Sequence, residues 1–188
     1  MIDKRKETLL GALQDKDAEI RKIAAAAIEK LETRDRLDFI VKKLETGEML
    51  DKVRAVYALS DLKGARILDV LVKASKDRSE DVRAAAVRVL GNIGDPNAVA
   101  PLVEMLKDAS AIVQRVVIES LSHYRDARLL GPLTQMLRSP DQGVVERALD
   151  VAGRYGDKRV EEAMMHFAAK GSPKMRAISI KALGEMDR

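Results

Sequence analysis

His123 and His166 are the only imidazoles in this 188-residue chain, and no cysteine accompanies them. They lie 43 residues apart and are followed by Tyr124 and Phe167. Neither sits in a spacing such as H-E-x-x-H, which sets two ligands on one helix face, so ordinary surface or half-buried histidines are expected and no metal site. There is no Ser-His-Asp spacing, no thiol nucleophile and no glycine-rich phosphate loop. Gly91-x-x-Gly94 follows a helical pattern and not a strand, which makes it a helix stop. Charged side chains do fall into register. One column runs Arg21, Lys52, Arg83, Gln114, Val145, Arg176, and beside it runs Asp95, Asp126, Asp157. Such columns make either a basic stripe for phosphate or a structural ladder, in which Arg21, Arg83 and Arg176 bind turn carboxylates or carbonyls. The ladder is the expectation. No catalytic, cofactor-binding or metal-ligating residue is assigned, and no cofactor is expected.

These columns need elements that repeat. The alphabet is helix-forming: 46% of residues are hydrophobic, 34% charged and only 3% aromatic. The formal charge of +4 permits an acidic partner without requiring one. The absence of cysteine fits a reducing cytoplasm. The N-terminal MIDKRKETLLGAL has too short an apolar run for a signal peptide, and no stretch is long enough to span a membrane.

The chain repeats itself every 31 residues, as Val82, Val113, Val144 and Met175 show. Core columns in the same register read Ile28, Leu59, Leu90, Leu121, Ala152, Leu183 and Leu9, Ile40, Leu71, Leu102, Leu133, Met164. A further column reads Leu31, Leu62, Ile93, Tyr124, Tyr155, Met186, and Ile20 falls two periods before Val82. Each period holds two helical patterns of 3.6-residue periodicity joined by a turn such as Gly91-Asn92-Ile93-Gly94-Asp95-Pro96. There Gly94 suits a left-handed helix end, and Asp95-Pro96 a cap followed by a first-turn proline. Pro101 and Pro132 predict either a regular helix that begins near them after an irregular turn, or a kink. The register gives a lone helix at 3–15, five helix pairs over about 17–169 and a last helix at 172–186, forming a single domain over 1–188.

The pattern D-V-R-A-A-A-V-x-x-L-G-x-I-G-D-x-x-A-x-x-P-L-x-x-x-L-x-D over residues 81–108 resembles the HEAT repeat. It is similar above all to the short HEAT-like repeats of the phycobilin (PBS) lyase family. The resemblance covers essentially the whole chain and is best over 80–139. In the second unit Val53-Arg54 comes two residues late, and the fifth has Val145 and Ala152 in its arginine and leucine columns, which predicts looser packing. The resemblance implies an all-α, armadillo-like fold: a right-handed α-α superhelix of about twelve helices in stacked antiparallel pairs. Deoxyhypusine hydroxylases share this kind of fold and bind iron through repeated His-Glu pairs, which His123-Tyr124 and His166-Phe167 do not supply.

In HEAT arrays the second helices line the concave side. Their outward positions carry nine basic residues, Lys4, Lys42, Arg66, Lys73, Lys76, Lys107, Arg128, Arg138 and Arg159. Seven acidic ones, among them Glu104 and Glu162, accompany them. That mixture, with no tryptophan, is a poor phosphate groove, so nucleic acid binding or DNA repair is the third choice. An uncharged column of Thr8, Phe39, Val70, Pro101, Pro132 and Ala163 beside these charges suits a protein or peptide. The expected function is a non-enzymatic, cytoplasmic, bacterial-type adaptor or scaffold. Its partner-binding residues would be Phe39, Val70, Arg66, Lys73, Lys76, Lys107, Arg128, Arg138 and Arg159, and the partner would carry acidic side chains. A bilin lyase-type subunit acting on phycobiliproteins is the alternative that the resemblance implies. Ile178, Ile180, Leu183 and Met186 make the 172–186 helix a candidate for end-to-end pairing of two copies.

Overall fold

The computed structural model describes residues 4–62 and 64–186, and the position 3 start of the first predicted helix lies outside them. Eleven α-helices and no strand occur among the described residues. The chain divides into two compact units, residues 1–62 and 63–188.

In the second unit the repeat folds as its punctuation requires. Helix α5 (Glu80–Ile93) carries Glu80 and Asp81 in its first turn, where carboxylates favour the exposed N–H groups. It ends at Gly94, whose φ of 68° is the left-handed conformation open to glycine. Asp95 then accepts a hydrogen bond from the Asn97 N–H and caps a 3₁₀ turn, Pro96–Ala98, that leads into α6 (Val99–Met105). Pro101 is the third residue of α6, and Pro132 the third of α8 (Leu130–Gln135), where a missing N–H costs nothing. The irregular turn before each proline is therefore real and there is no kink.

The remaining helices of this unit are α4 (Ala65–Ala74), α7 (Ala111–Ser122), α9 (Gln142–Gly153), α10 (Glu161–Lys170) and α11 (Pro173–Glu185). The first helices stack in a row, α5 on α7, α7 on α9 and α9 on α11, while α6, α8 and α10 each pack on the next first helix. Val82, Val113 and Val144 are fully buried, as are Leu90, Leu121, Leu102 and Leu133. Ile93 is the exception, since it remains 40% exposed. Val145 and Ala152 are buried in one cluster with Leu149 and Met164, so the fifth repeat is well filled and not loosened. A β-branched apolar side chain in the arginine column has joined the core.

In the first unit α1 (Lys4–Ala12) packs on α2 (Ala18–Thr46), and α2 on α3 (Met49–Ala58). Here the register misleads. Two helices and a turn are expected over 17–46, but α2 runs unbroken for 29 residues. At the column where Gly94 and Gly156 have φ of 68° and 62° stands Glu32, and at the Pro96 column stands Arg34. Neither stops a helix, so the helix continues and eleven helices replace twelve. The Ile20 column is likewise not core here: Ile20 is 43% exposed.

Candidate partner-binding surface

The turns before α8 and α10 carry the same short motif, Asp126-Ala127-Arg128 and Asp157-Lys158-Arg159. Each aspartate caps its 3₁₀ turn through the N–H two residues on. The same carboxylate then receives the guanidinium of that residue. Arg128 donates Nε to Asp126 Oδ2 at 2.9 Å and Nη2 at 2.7 Å. Arg159 donates Nε to Asp157 Oδ1 at 2.9 Å and Nη2 to Oδ2 at 2.7 Å. The arginine side chains are 90% and 60% exposed, their aspartates 21% and 29%. Each pair therefore presents its cation outward and its anion inward, against backbone donors. The Arg159 hydrogen bonds hold the Asp157 carboxyl at about 2, and the Arg128 hydrogen bonds likewise lower that of Asp126. The same bonds raise both guanidinium groups. At Asp95 the residue two places on is Asn97, which donates Nδ2 to the carboxylate without a charge.

Between α8 and α10 lies an open groove of about 800 Å³. Leu137, Ala163 and Phe167 give it apolar walls, Thr134, Gln135 and His166 polar ones, and Arg138, Arg159 and Glu162 charged ones. Phe167 is anchored in the core cluster, and the His166 ring meets it edge-on at 5.3 Å. Arg138 and Arg159, both expected at a binding face, thus line one groove. Arg159 Nη2 also approaches Ala127 O at 3.4 Å, which places that end of the groove beside the turn bearing Arg128.

The other expected residues are more dispersed. Arg66, Lys73, Lys76 and Lys107 are exposed on or after α4 and α6, and Val70 is half-buried. Phe39 belongs to the first unit, 62% exposed, with Lys43 Nζ 5.9 Å from its ring centre. Phe39 and Lys43 border a depression of about 520 Å³ with Glu48 and Asp51. Ile178 and Leu183 of α11, with Met186 just after it, pack on the core, which leaves Ile180, 61% exposed, to project.

Within one repeat the arginine and aspartate columns stand at opposite ends of the first helix. Arg83 stands in the first turn of α5, while Asp95 follows its last turn, roughly 18 Å away at 1.5 Å per residue. The arginines turn instead to the joint before their own helix. Arg21 Nη1 donates to Asp15 O at 2.7 Å and Lys16 O at 3.0 Å. Arg83 Nη1 donates to Asp77 O and Arg78 O, both at 3.1 Å, and its other edge pairs with Asp108. Gln114 repeats the contact through Nε2 to Asp108 O at 2.7 Å. Arg176 is exposed.

Sequence reasoning missed the carboxylate partners of Arg83, Arg128 and Arg159. Its signal was available in the D-x-R motif that recurs 31 residues apart. It also missed a cluster on the first-helix face, where Glu119 Oε2 lies 3.0 Å from Arg147 Nη1 and 3.9 Å from Arg154 Nη2. Among the described residues no three His, Cys, Asp or Glu side chains gather to hold a metal ion, and no helix is long and apolar enough to cross a membrane.

A family profile for HEAT repeats matches residues 40–122 and 68–149, together more than half of the chain. No curated protein matches. Among solved structures, the Escherichia coli protein YibA is 18% identical with a TM-score of 0.66, over 94% of this chain and 69% of that one. A designed armadillo repeat protein in complex with the peptide (KR)4 is 19% identical with a TM-score of 0.56, over 98% of this chain and 100% of that one. The complex of CpcE and CpcF of phycocyanin lyase from Nostoc sp. PCC7120 is 19% identical with a TM-score of 0.52, over 96% of this chain and 76% of that one. At these identities the likeness is one of fold.

Proposed function

Because the chain belongs to the HEAT repeat family, we propose that it is a non-enzymatic adaptor or scaffold that grips a protein partner on the second-helix face of residues 63–188. The observation that carries this is the groove between α8 and α10, where apolar walls stand between charged rims. Partially apolar, polar-rimmed surfaces are those that bury well against peptide chains. A wall of repeated helices recognises area, whereas acid–base chemistry needs polar groups that converge on one point. The outward guanidinium groups of Arg128, Arg138 and Arg159 favour acidic side chains on the partner. The cytoplasm is the proposed compartment. Pairing of two copies through α11 would rest on Ile180 alone and is not part of this reading.

The test is a peptide library selected on the full chain, with every enriched peptide then measured on Ala163→Arg, which fills the groove. Affinity should fall at least tenfold on that variant, with its helical circular dichroism unchanged. Equal affinity on both proteins would remove the groove from the account.

A further inference from the structure

We propose that the chain associates with itself head to tail, the outer face of α11 in one copy receiving α2 of a second copy. This is independent of the groove between α8 and α10 and concerns different surfaces.

The second unit shows what such a face receives. α11 packs on α9, where Met175, Ile178 and Ala182 of α11 share a core cluster with Leu149 of α9. The backbones come close, since a Cβ at Gly153 would stand 2.7 Å from Ala182 Cβ. α5 meets α7 in the same manner: Ser120 Oγ donates to Val87 O at 3.2 Å, and Gly91 makes room for Ser120 Cβ. Val87, Ile118 and Leu149 form one column of the 31-residue register, and all three are fully buried under the next first helix. Ile180 is the following residue of that column and is 61% exposed. Gly184 continues the column of Gly91 and Gly153, and its Cβ position meets nothing within 4 Å. Among the described residues, therefore, α11 carries a receiving face with no helix on it.

The matching face lies on α2. Five periods before Met175, Ile178 and Ala182 stand Ile20, Ile23 and Ala27. Steps of three and four residues put each trio on one stripe of its helix. Met175 and Ala182 are buried against α9, whereas Ile20 and Ile23 are 43% and 61% exposed. α1 packs on α2 as α10 packs on α11, so a second copy offers the helix pair that the array uses internally. Docking sets Ala27 over Gly184 as Ala182 sits over Gly153, and Ile180 beside Ile20 and Ile23 as Leu149 sits beside Met175 and Ile178. Outer faces of helical arrays are polar in soluble chains, and isoleucine there is stabilised by leaving water. Symmetric pairing of α11 with α11 would cover Ile180 but leave Ile20 and Ile23 exposed. The two faces differ, so the contact is heterologous and each added copy brings a fresh receiving face.

The test is sedimentation equilibrium on the full chain over a range of concentrations. The average mass of wild type should rise above that of a monomer as concentration increases. Ile180→Asp removes one face and Ile23→Asp the other. Both side chains are 61% exposed, so the helical circular dichroism should not change. Each variant alone should associate at least tenfold more weakly, because a carboxylate would be buried without a partner. Mixed in equal amounts, the two should form a dimer and nothing larger, since the mixture keeps one intact α11 face and one intact α2 face. Gly184→Leu, placed where a Cβ is unopposed in the single chain, should behave as Ile180→Asp and dimerise with the same partner. Wild type that stays monomeric at every concentration overturns the proposal, as does a mixture that stays monomeric. So does Ile23→Asp that still dimerises alone, which is the sign of symmetric α11 pairing.

Discussion

Arg83 and Asp108, 25 residues apart, form a two-pronged ion pair: Nε to Oδ2 at 2.7 Å and Nη2 to Oδ1 at 2.9 Å. The side chains are 16% and 6% exposed. Because Arg83 also binds Asp77 O and Arg78 O, and Asp108 Oδ1 also accepts the Ser110 N–H, the pair fastens two successive joints of the array together.

Arg83→Ala should therefore cost about 3 kcal/mol, since it leaves a nearly buried carboxylate with one backbone donor. In a double-mutant cycle with Asp108→Asn the two changes should be strongly non-additive in urea unfolding. Burial pushes the Asp108 carboxyl up, but the Arg83 hydrogen bond, the Ser110 N–H and the guanidinium charge together hold it below its ordinary value. A carboxyl lowered by folding stabilises fully above its unfolded value, near 4, and that contribution disappears as pH falls through the folded one. Wild type should lose stability across this acid range more steeply than Asp108→Asn.

The unbroken α2 is tested by a proline. Arg34 occupies the column of Pro96, the residue that opens a 3₁₀ turn after a helix stop. If residues 30–36 made that turn, Arg34→Pro would be nearly neutral. Inside a continuous helix it should cost about 3 kcal/mol and lower the helical signal.

One glycine column contains its own control. A Cβ at Gly91 would stand 2.5 Å from Ser120 Cβ, and at Gly153 2.7 Å from Ala182 Cβ, each in the next first helix. At Gly184, the same column in α11, a Cβ meets nothing within 4 Å. Gly91→Ala and Gly153→Ala should each destabilise by about 2 kcal/mol through overpacking, whereas Gly184→Ala should stabilise by about 0.5 kcal/mol. Thermal melts of the three variants check the order.

Arg125 stands in the column of Gly94 and Gly156 and is forced to a φ of 45°. Arg125→Gly should gain about 0.5–1 kcal/mol, because relief of the left-handed penalty exceeds the added freedom of the unfolded chain. A melting temperature equal to or below that of wild type would contradict this.

The legibility of the chain followed the strength of its punctuation. Where Gly94-Asp95-Pro96 or Gly156-Asp157 stops one helix and caps the next, the sequence alone places the turn correctly. Where Glu32 and Arg34 replace those residues, columns in register still implied a turn that no residue there can make. Burial was readable at Val82, Val113 and Val144, because a 31-residue period carries the same valine into the same layer. It failed at Ile20, whose column has a stacked neighbour in the second unit and stays exposed in the first. The partners of the arginines were legible in kind but not in identity. Arg83 was placed in a ladder with carbonyls and carboxylates, yet Asp108 was overlooked, since a column diagram does not say which end of a helix a residue occupies. The groove between α8 and α10 needed coordinates, because Arg138, Arg159 and Phe167 converge only when two second helices are laid side by side.

The central claim, that the second-helix face between α8 and α10 receives the partner, is tested most directly by amide chemical-shift mapping. A peptide selected on the full chain is titrated into isotope-labelled protein. The account predicts that the perturbed amides fall in 134–138 and 159–167, with the 112–119 segment of α7 unmoved. Perturbations confined to α7 and α9, around Ile112, Arg115 and Glu119, would contradict it and transfer the binding role to the first-helix face.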